Sequence, residues 1–282
     1  MNELLFTTGF IFLFSSTIFS QNFQGEAIYE FKLLRSKKIT QKIENTTKSN
    51  ADIVDDKLFE EALAKASLKK FKFLFDATTS TFEEMQELEK PKLGSEDFQV
   101  SISFNKGVLF KNLKTKQSIE ESFSFDDKKY LVQDNLPTYD WKITSETKKI
   151  GNYNCLKATA IIKVTEKQLK EYQERQKKKK SLTSFLNKAP EDTMITAWFT
   201  SEIPVSNGPA EFGGLPGLIL ELTAGEILYI CSKITINPKN KLVVAEPKKG
   251  KPIAKEIYEE QQASMYKKMA NEDGVIIHEM KQ

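Results

Sequence analysis

The sequence predicts a mainly β protein, built as one domain around an antiparallel meander. Three observations carry this. Short apolar runs recur at roughly 8–12-residue spacing, with turn residues between them. Within the runs the apolar positions alternate, as in Phe71, Phe73 and Phe75 against Lys72 and Leu74, the period of a half-buried strand. The chain is also rich in Phe (20 residues), and its Phe residues sit among Ile, Val and Thr, a strand-like composition. At 282 residues, 39% hydrophobic and 29% charged, the chain is long enough to bury a sizeable core.

The elements follow in order. Residues 1–20 carry an apolar stretch from Leu4 to Phe19 and end on the small residue Ser20. They read as a cleaved export signal, although the segment before the stretch has Glu3 and no Lys or Arg. No Cys lies near the cut, so no lipid attachment is expected there. "GEAIYEFKLL" (25–34) is the first strand. A polar segment follows, and then "KLFEEALAKASLKKF", with a helix expected over 57–69 behind an Asp56 N-cap.

From Phe71 the period is two, through "STFEEMQEL", "FQVSISF", "VLFKNLKT", "SIEESFSF" and "KYLVQD". "NKG" (105–107) and "FDDKKY" (125–130) read as reversals. "KKIGNYN" turns one strand into "CLKATAIIKV", and a polar, helical insertion is expected over 165–192. "TMITAWFTSEIP" (193–204), "GLILELT" and "ILYICSKITI" (227–236) complete the strands. A Lys/Pro-rich linker then leads to a C-terminal helix near 255–270.

The chemistry-bearing residues are few. His278 is the single histidine, which leaves no ordinary zinc set and no His-based nucleophile system. There is no phosphate loop, dinucleotide fingerprint or cofactor motif. The adjacent acid pairs fall mostly in strands, where neighbours point to opposite faces. The chain is therefore expected to be non-catalytic, with a hydrolase using carboxylates as the minor alternative. The run Lys177–Lys180 follows several acids in the insertion and lacks interleaved aromatics, so a solvated arm is favoured and no nucleic-acid partner is expected. Cys155 and Cys231 form an even pair in a chain expected to be exported, and a disulfide between them stands against two buried free thiols.

The most distinctive stretch is "PAEFGGLPGLILEL" (209–222). Pro216 followed by Gly217 fits positions i+1 and i+2 of a type II turn feeding a buried strand. A phosphate loop would open a helix instead. The connection from Ser201 to Gly217 is long for a hairpin, and long ordered loops on a sheet are often functional.

Gly214-Leu215-Pro216-Gly217-Leu218-Ile219 resembles the motif of the GLPGLI family, and "DWKITSETKKIGNYNCLKATA" and "TAWFTSEIPVSNGPAEFGG" extend the resemblance. The resemblance implies an exported protein of the bacterial periplasm or envelope, with no assigned catalytic residues. Its genes are often thought to neighbour outer-membrane TonB-dependent receptors. A weaker similarity to periplasmic lipoprotein carriers implies a curved sheet or incomplete β-barrel with a helix in its concavity.

Two functions follow as expectations. The first is a carrier or chaperone binding an apolar ligand, a lipid or extended peptide. Trp141, Trp198 and the Phe-rich strands would line its site, with the loop carrying Phe212, Gly213, Gly214, Leu215, Pro216, Gly217 and Leu218 as its rim. The second is an accessory subunit of an outer-membrane receptor or secretion complex, touching its partner through an exposed apolar patch at 212–218. No membrane-spanning segment is expected after signal cleavage.

Overall fold

In the computed structural model, residues 23–34, 68–86, 106–124, 128–177 and 189–269 are described. The export signal, almost all of the expected 57–69 helix, the "FQVSISF" strand and His278 lie outside them. The strands are β1 (Gln24–Leu33), β2 (Lys69–Asp76), β3 (Thr79–Glu84), β4 (Lys106–Asn112), β5 (Gln117–Phe123), β6 (Lys129–Asn135), β7 (Lys142–Ile150), β8 (Tyr153–Ile162), β9 (Thr193–Thr200), β10 (Leu218–Ala224), β11 (Ile227–Ile236) and β12 (Lys251–Ala254). Two helices are described, α1 (Glu166–Lys177) and α2 (Lys255–Met269).

The twelve described strands form one open sheet in the order β12-β6-β5-β4-β3-β2-β1-β11-β10-β9-β8-β7. Two meanders, β1–β6 and β7–β11, are joined where β1 pairs antiparallel with β11. Among the described strands every pairing is antiparallel except that of β12 with β6. The Lys/Pro-rich segment expected as a linker is one only in part, since Lys251 and Pro252 begin this short strand. Pro252 has no N–H to give to a ladder, which suits a strand at the sheet's edge. A second correction concerns "NKG", where Lys106 and Gly107 belong to β4 and not to a turn.

Alternation explains the core. Ala27, Tyr29 and Phe31 of β1 point to the same side as Phe71, Phe73 and Phe75 of β2 and Phe82 of β3. Phe71 and Phe82 stack at 4.7 Å, and Phe31 and Tyr229 lie 5.3 Å apart. Full burial of each such ring stabilises the fold by about 2 kcal/mol. β10 is buried on both faces over Leu218, Ile219 and Leu220, because the connection from β9 packs back across it. Among the described residues, this connection joins the aromatic core, with Ile203, Val205, Phe212 and Leu215 all buried in it. Of the two described helices, α2 packs on β6 and β12 at one end of the sheet.

Candidate functional site

The connection Ser201–Gly217 is an ordered, largely buried strap. Ile203, Val205 and Asn207 are buried while Pro204 and Ser206 are exposed, and two successive tight turns bond Val205 N–H to Ile203 O and Asn207 N–H to Val205 O. The chain reverses at Pro209–Phe212 (Phe212 N–H to Pro209 O, 3.1 Å), and Asn207 then bridges Gly213. Asn207 is fully buried. Its Nδ2 donates to Ser80 Oγ (2.9 Å) and its Oδ1 accepts from Gly208 N–H (2.9 Å), so the strap is tied to β3.

The hexapeptide differs from its expected turn. Gly217 N–H donates to Leu215 O (2.8 Å), a three-residue γ-turn centred on Pro216, and Leu218 N–H donates to Ile203 O (3.1 Å). The i→i+3 bond of a type II turn is not made, because a distant carbonyl takes the Leu218 donor. Gly217 is needed for space: a Cβ there would lie 2.1 Å from Thr200 O. Gly214 has the left-handed backbone, with φ +89°. A bulge follows at Leu220, and Tyr29 Oη donates to Ile219 O (2.6 Å).

The strap, the segment before β7 and the β4–β5 turn line a half-open cavity of about 310 Å³. Phe212 and Tyr139 stack at 5.5 Å, and Trp141 packs on Tyr139 at 5.4 Å. Trp141 Nε1 donates to Gly213 O (2.9 Å), fastening the strap to that segment. Leu113, Leu136 and Pro137 add apolar wall, while Lys116, Ser206 and Glu211 add polar groups. Burial, with the Glu211 carboxylate nearby, holds the Tyr139 phenol well above its usual range, so it remains a hydroxyl.

Lys111, from β4, also lines this cavity and is 1% exposed. Its Nζ donates to Gly208 O (2.8 Å) and Phe212 O (3.3 Å) and lies 5.5 Å from the centre of the Phe73 ring. Burial pulls its pKa down to about 7, against a smaller upward pull from Glu211. No carboxylate forms an ion pair with it among the described residues.

The predicted site residues separate. Phe212, Gly213 and Gly214 line the cavity, and Trp141 braces the strap behind them. Trp198 lies elsewhere. Ile195, Ala197 and Phe199 take the buried side of β9, while Trp198 takes the other, with the Lys148 ammonium 4.8 Å from its ring centre and 2.6 Å from Glu221. Leu215 and Leu218 are core residues, 1% and 0% exposed, and Phe212 is buried too. The exposed apolar patch expected at 212–218 is therefore absent, its side chains being used in the core and the cavity wall. Cys155 and Cys231 are buried free thiols on β8 and β11, with β9 and β10 between those strands. Burial pushes them up to about 11 and about 12, which keeps them protonated and unreactive.

Lys111, Tyr139, Asn207 and Glu211 were not among the predicted site residues. Lys111 had a faint signal, since it shares strand parity with Leu109 and pairs with Ser80 and Ser118, but a lysine is rarely buried. Among the described residues no group of three or more His, Cys, Asp or Glu lies close enough to hold a metal ion.

No curated protein matches the chain. Two solved structures of PNGF-II, in C2 and P21 crystal forms, align with 86% of it at 15% identity and TM-scores of 0.47 and 0.48. The chain spans about a third of their length (33% and 34%). Over residues 141–221, from Trp141 through the strap to β10, the chain is similar to a family described as "Protein of unknown function (Porph_ging)".

Proposed function

We propose that the chain is a non-catalytic cell-envelope protein that binds an apolar ligand, a lipid or an extended peptide, in the cavity beside the strap. The observation that carries this is the cavity's construction. An aromatic stack, Tyr139 on Phe212, stands beside apolar wall residues, with a few polar groups at its margin. Ligand sites have this composition, and their volumes start at about 300 Å³. The GLPGLI-type hexapeptide adds a reason to place the protein in that family, and the N-terminal apolar stretch a reason to place it outside the cytoplasm. The alternative, an accessory subunit of an outer-membrane receptor, would need a contact surface other than the hexapeptide's buried leucines.

The test is a pull-down of the tagged chain from native envelope, with mass spectrometry of bound lipids, peptides and proteins, beside Tyr139→Ala. The parent is expected to carry a lipid or peptide, and Tyr139→Ala to lose it at least about tenfold while remaining folded. Equal recovery with both chains, or a receptor protein alone, would overturn the reading.

A further inference from the structure

The electrostatics of Lys111 narrow the ligand's chemistry. A neutral lysine amine has two N–H groups, and Gly208 O and Phe212 O accept two hydrogen bonds from Nζ. Protonation adds a third N–H and a full charge. In a side chain 1% exposed, that charge is costly unless an anion or further acceptor faces it. Among the described residues no carboxylate lies within ion-pair distance of Nζ. The open space at this residue is the cavity it helps to line. An acceptor arriving there would complete the ammonium's shell.

We propose that the cavity takes the carboxylate of an amphiphilic ligand, with the Lys111 ammonium as its counter-ion and the Tyr139–Phe212 stack against its apolar part. This rests on the cavity being the binding site, as proposed above. At about 30 Å³ per water, the volume holds roughly ten water-sized groups. That suits a medium-length fatty acid or the last one or two residues of a peptide with a free carboxyl end. The other charged and polar groups lining the cavity fit the assignment. Tyr139 is held as a hydroxyl and offers a second donor, Lys116 adds positive charge to the lining, and Glu211 disfavours a ligand with a second negative charge.

Binding is then coupled to a proton. With the free lysine titrating near pH 7, a carboxylate entering above that pH draws a proton onto Nζ, and affinity falls as pH rises further. A lysine that merely braces the strap has no such linkage.

The experiment is calorimetric titration of the full chain with octanoate, octanol and octylamine at about pH 6 and about pH 9, both above the carboxylate range. An acetylated Ala-Leu dipeptide, as free acid and as amide, forms the second arm. At the lower pH octanoate or the dipeptide acid should bind at least about tenfold more tightly than its neutral counterpart, and that preference should shrink at the higher pH. Which acid binds tells a lipid source from a peptide one. Near pH 8 the measured heat should vary with buffer ionisation enthalpy, reporting proton uptake.

Lys111→Met, checked for folding by circular dichroism, should lose the acid preference and keep octanol binding. Equal affinity for octanoate and octanol would overturn the carboxylate assignment while leaving the cavity reading standing. Absence of binding by every probe would overturn both. An acid preference that survives in folded Lys111→Met would reassign the counter-ion and overturn the proposal. Should that variant not fold, the parent's pH dependence and proton uptake decide the matter.

Discussion

Lys111 shows how one residue governs stability as well as binding. Its native pKa is about 7, against about 10.4 for an unfolded lysine. Between those values the unfolded chain holds a proton that the native chain has released. At this group the unfolded state therefore binds more protons, and the Lys111 contribution to native stability rises with pH across that window. The slope has a ceiling on the order of 1 kcal/mol per pH unit. Above about pH 8.5 the trend reverses, because burial keeps the Cys155 and Cys231 thiols, and at still higher pH the Tyr29, Tyr139 and Tyr229 phenols, protonated in the native state while their unfolded counterparts ionise. Urea unfolding of the ligand-free protein over about pH 6–11 should show this rise and fall, and Lys111→Met should flatten the rising limb. Residue type alone hid this position: beyond its shared parity with Leu109, nothing in "VLFKNLKT" separates a lysine that turns inward from one that reaches solvent.

At the scale of elements, the strands were largely legible and the strap was not. Alternation located β1, β2 and β11 to within a residue or two, since one buried face imposes a period of two, and the apolar run after Gly217 located β10. β12 escaped because four residues containing a proline carry no period, and its strand character comes from the β6 edge it joins. A Pro-Gly pair suits several turns. The choice at 215–218 rests on Ile203 O, a partner twelve or more residues upstream of the turn.

The two glycines of this motif should therefore fail differently. Gly214→Ala keeps ordinary contacts, with Trp141 Nε1 at 3.6 Å from the new Cβ, and suffers only its left-handed backbone, a loss of about 1–2 kcal/mol. Gly217→Ala drives a methyl into the Thr200 carbonyl, and its loss should exceed about 3 kcal/mol. Denaturant midpoints of the two variants give the comparison, and equal losses would mean that the γ-turn yields easily.

At the scale of the molecule, the open sheet leaves β7 and β12 as its outer strands. β12 is short, which itself blunts an edge. β7 is nine residues long, exposed over most of its length, and irregular in its pairing to β8 between Ile143 and Thr147. Lys142 and Lys149 are exposed on it. Charge and irregularity of this kind discourage pairing with another chain. The double variant Lys142→Val/Lys149→Val should sediment faster than the parent at high concentration, with unchanged unfolding midpoint. An unchanged sedimentation coefficient would show that the bulge alone guards the edge.

The pairing of β1 with β11 has a consequence in time. β1 finishes at Leu33 and its partner begins at Ile227, about 190 residues later in synthesis. At roughly 5–20 residues per second, β1 waits on the order of 10–40 seconds for that neighbour. Once β6 has been made at Asn135, and until β11 follows, the first meander has one unpaired border, next to a face made of Tyr29, Phe31, Phe71, Phe73 and Phe75. A chain built this way is adhesive while it is being made and becomes self-contained only near its end. Its dependence on escort factors should be greatest for nascent chains that stop short of residue 227.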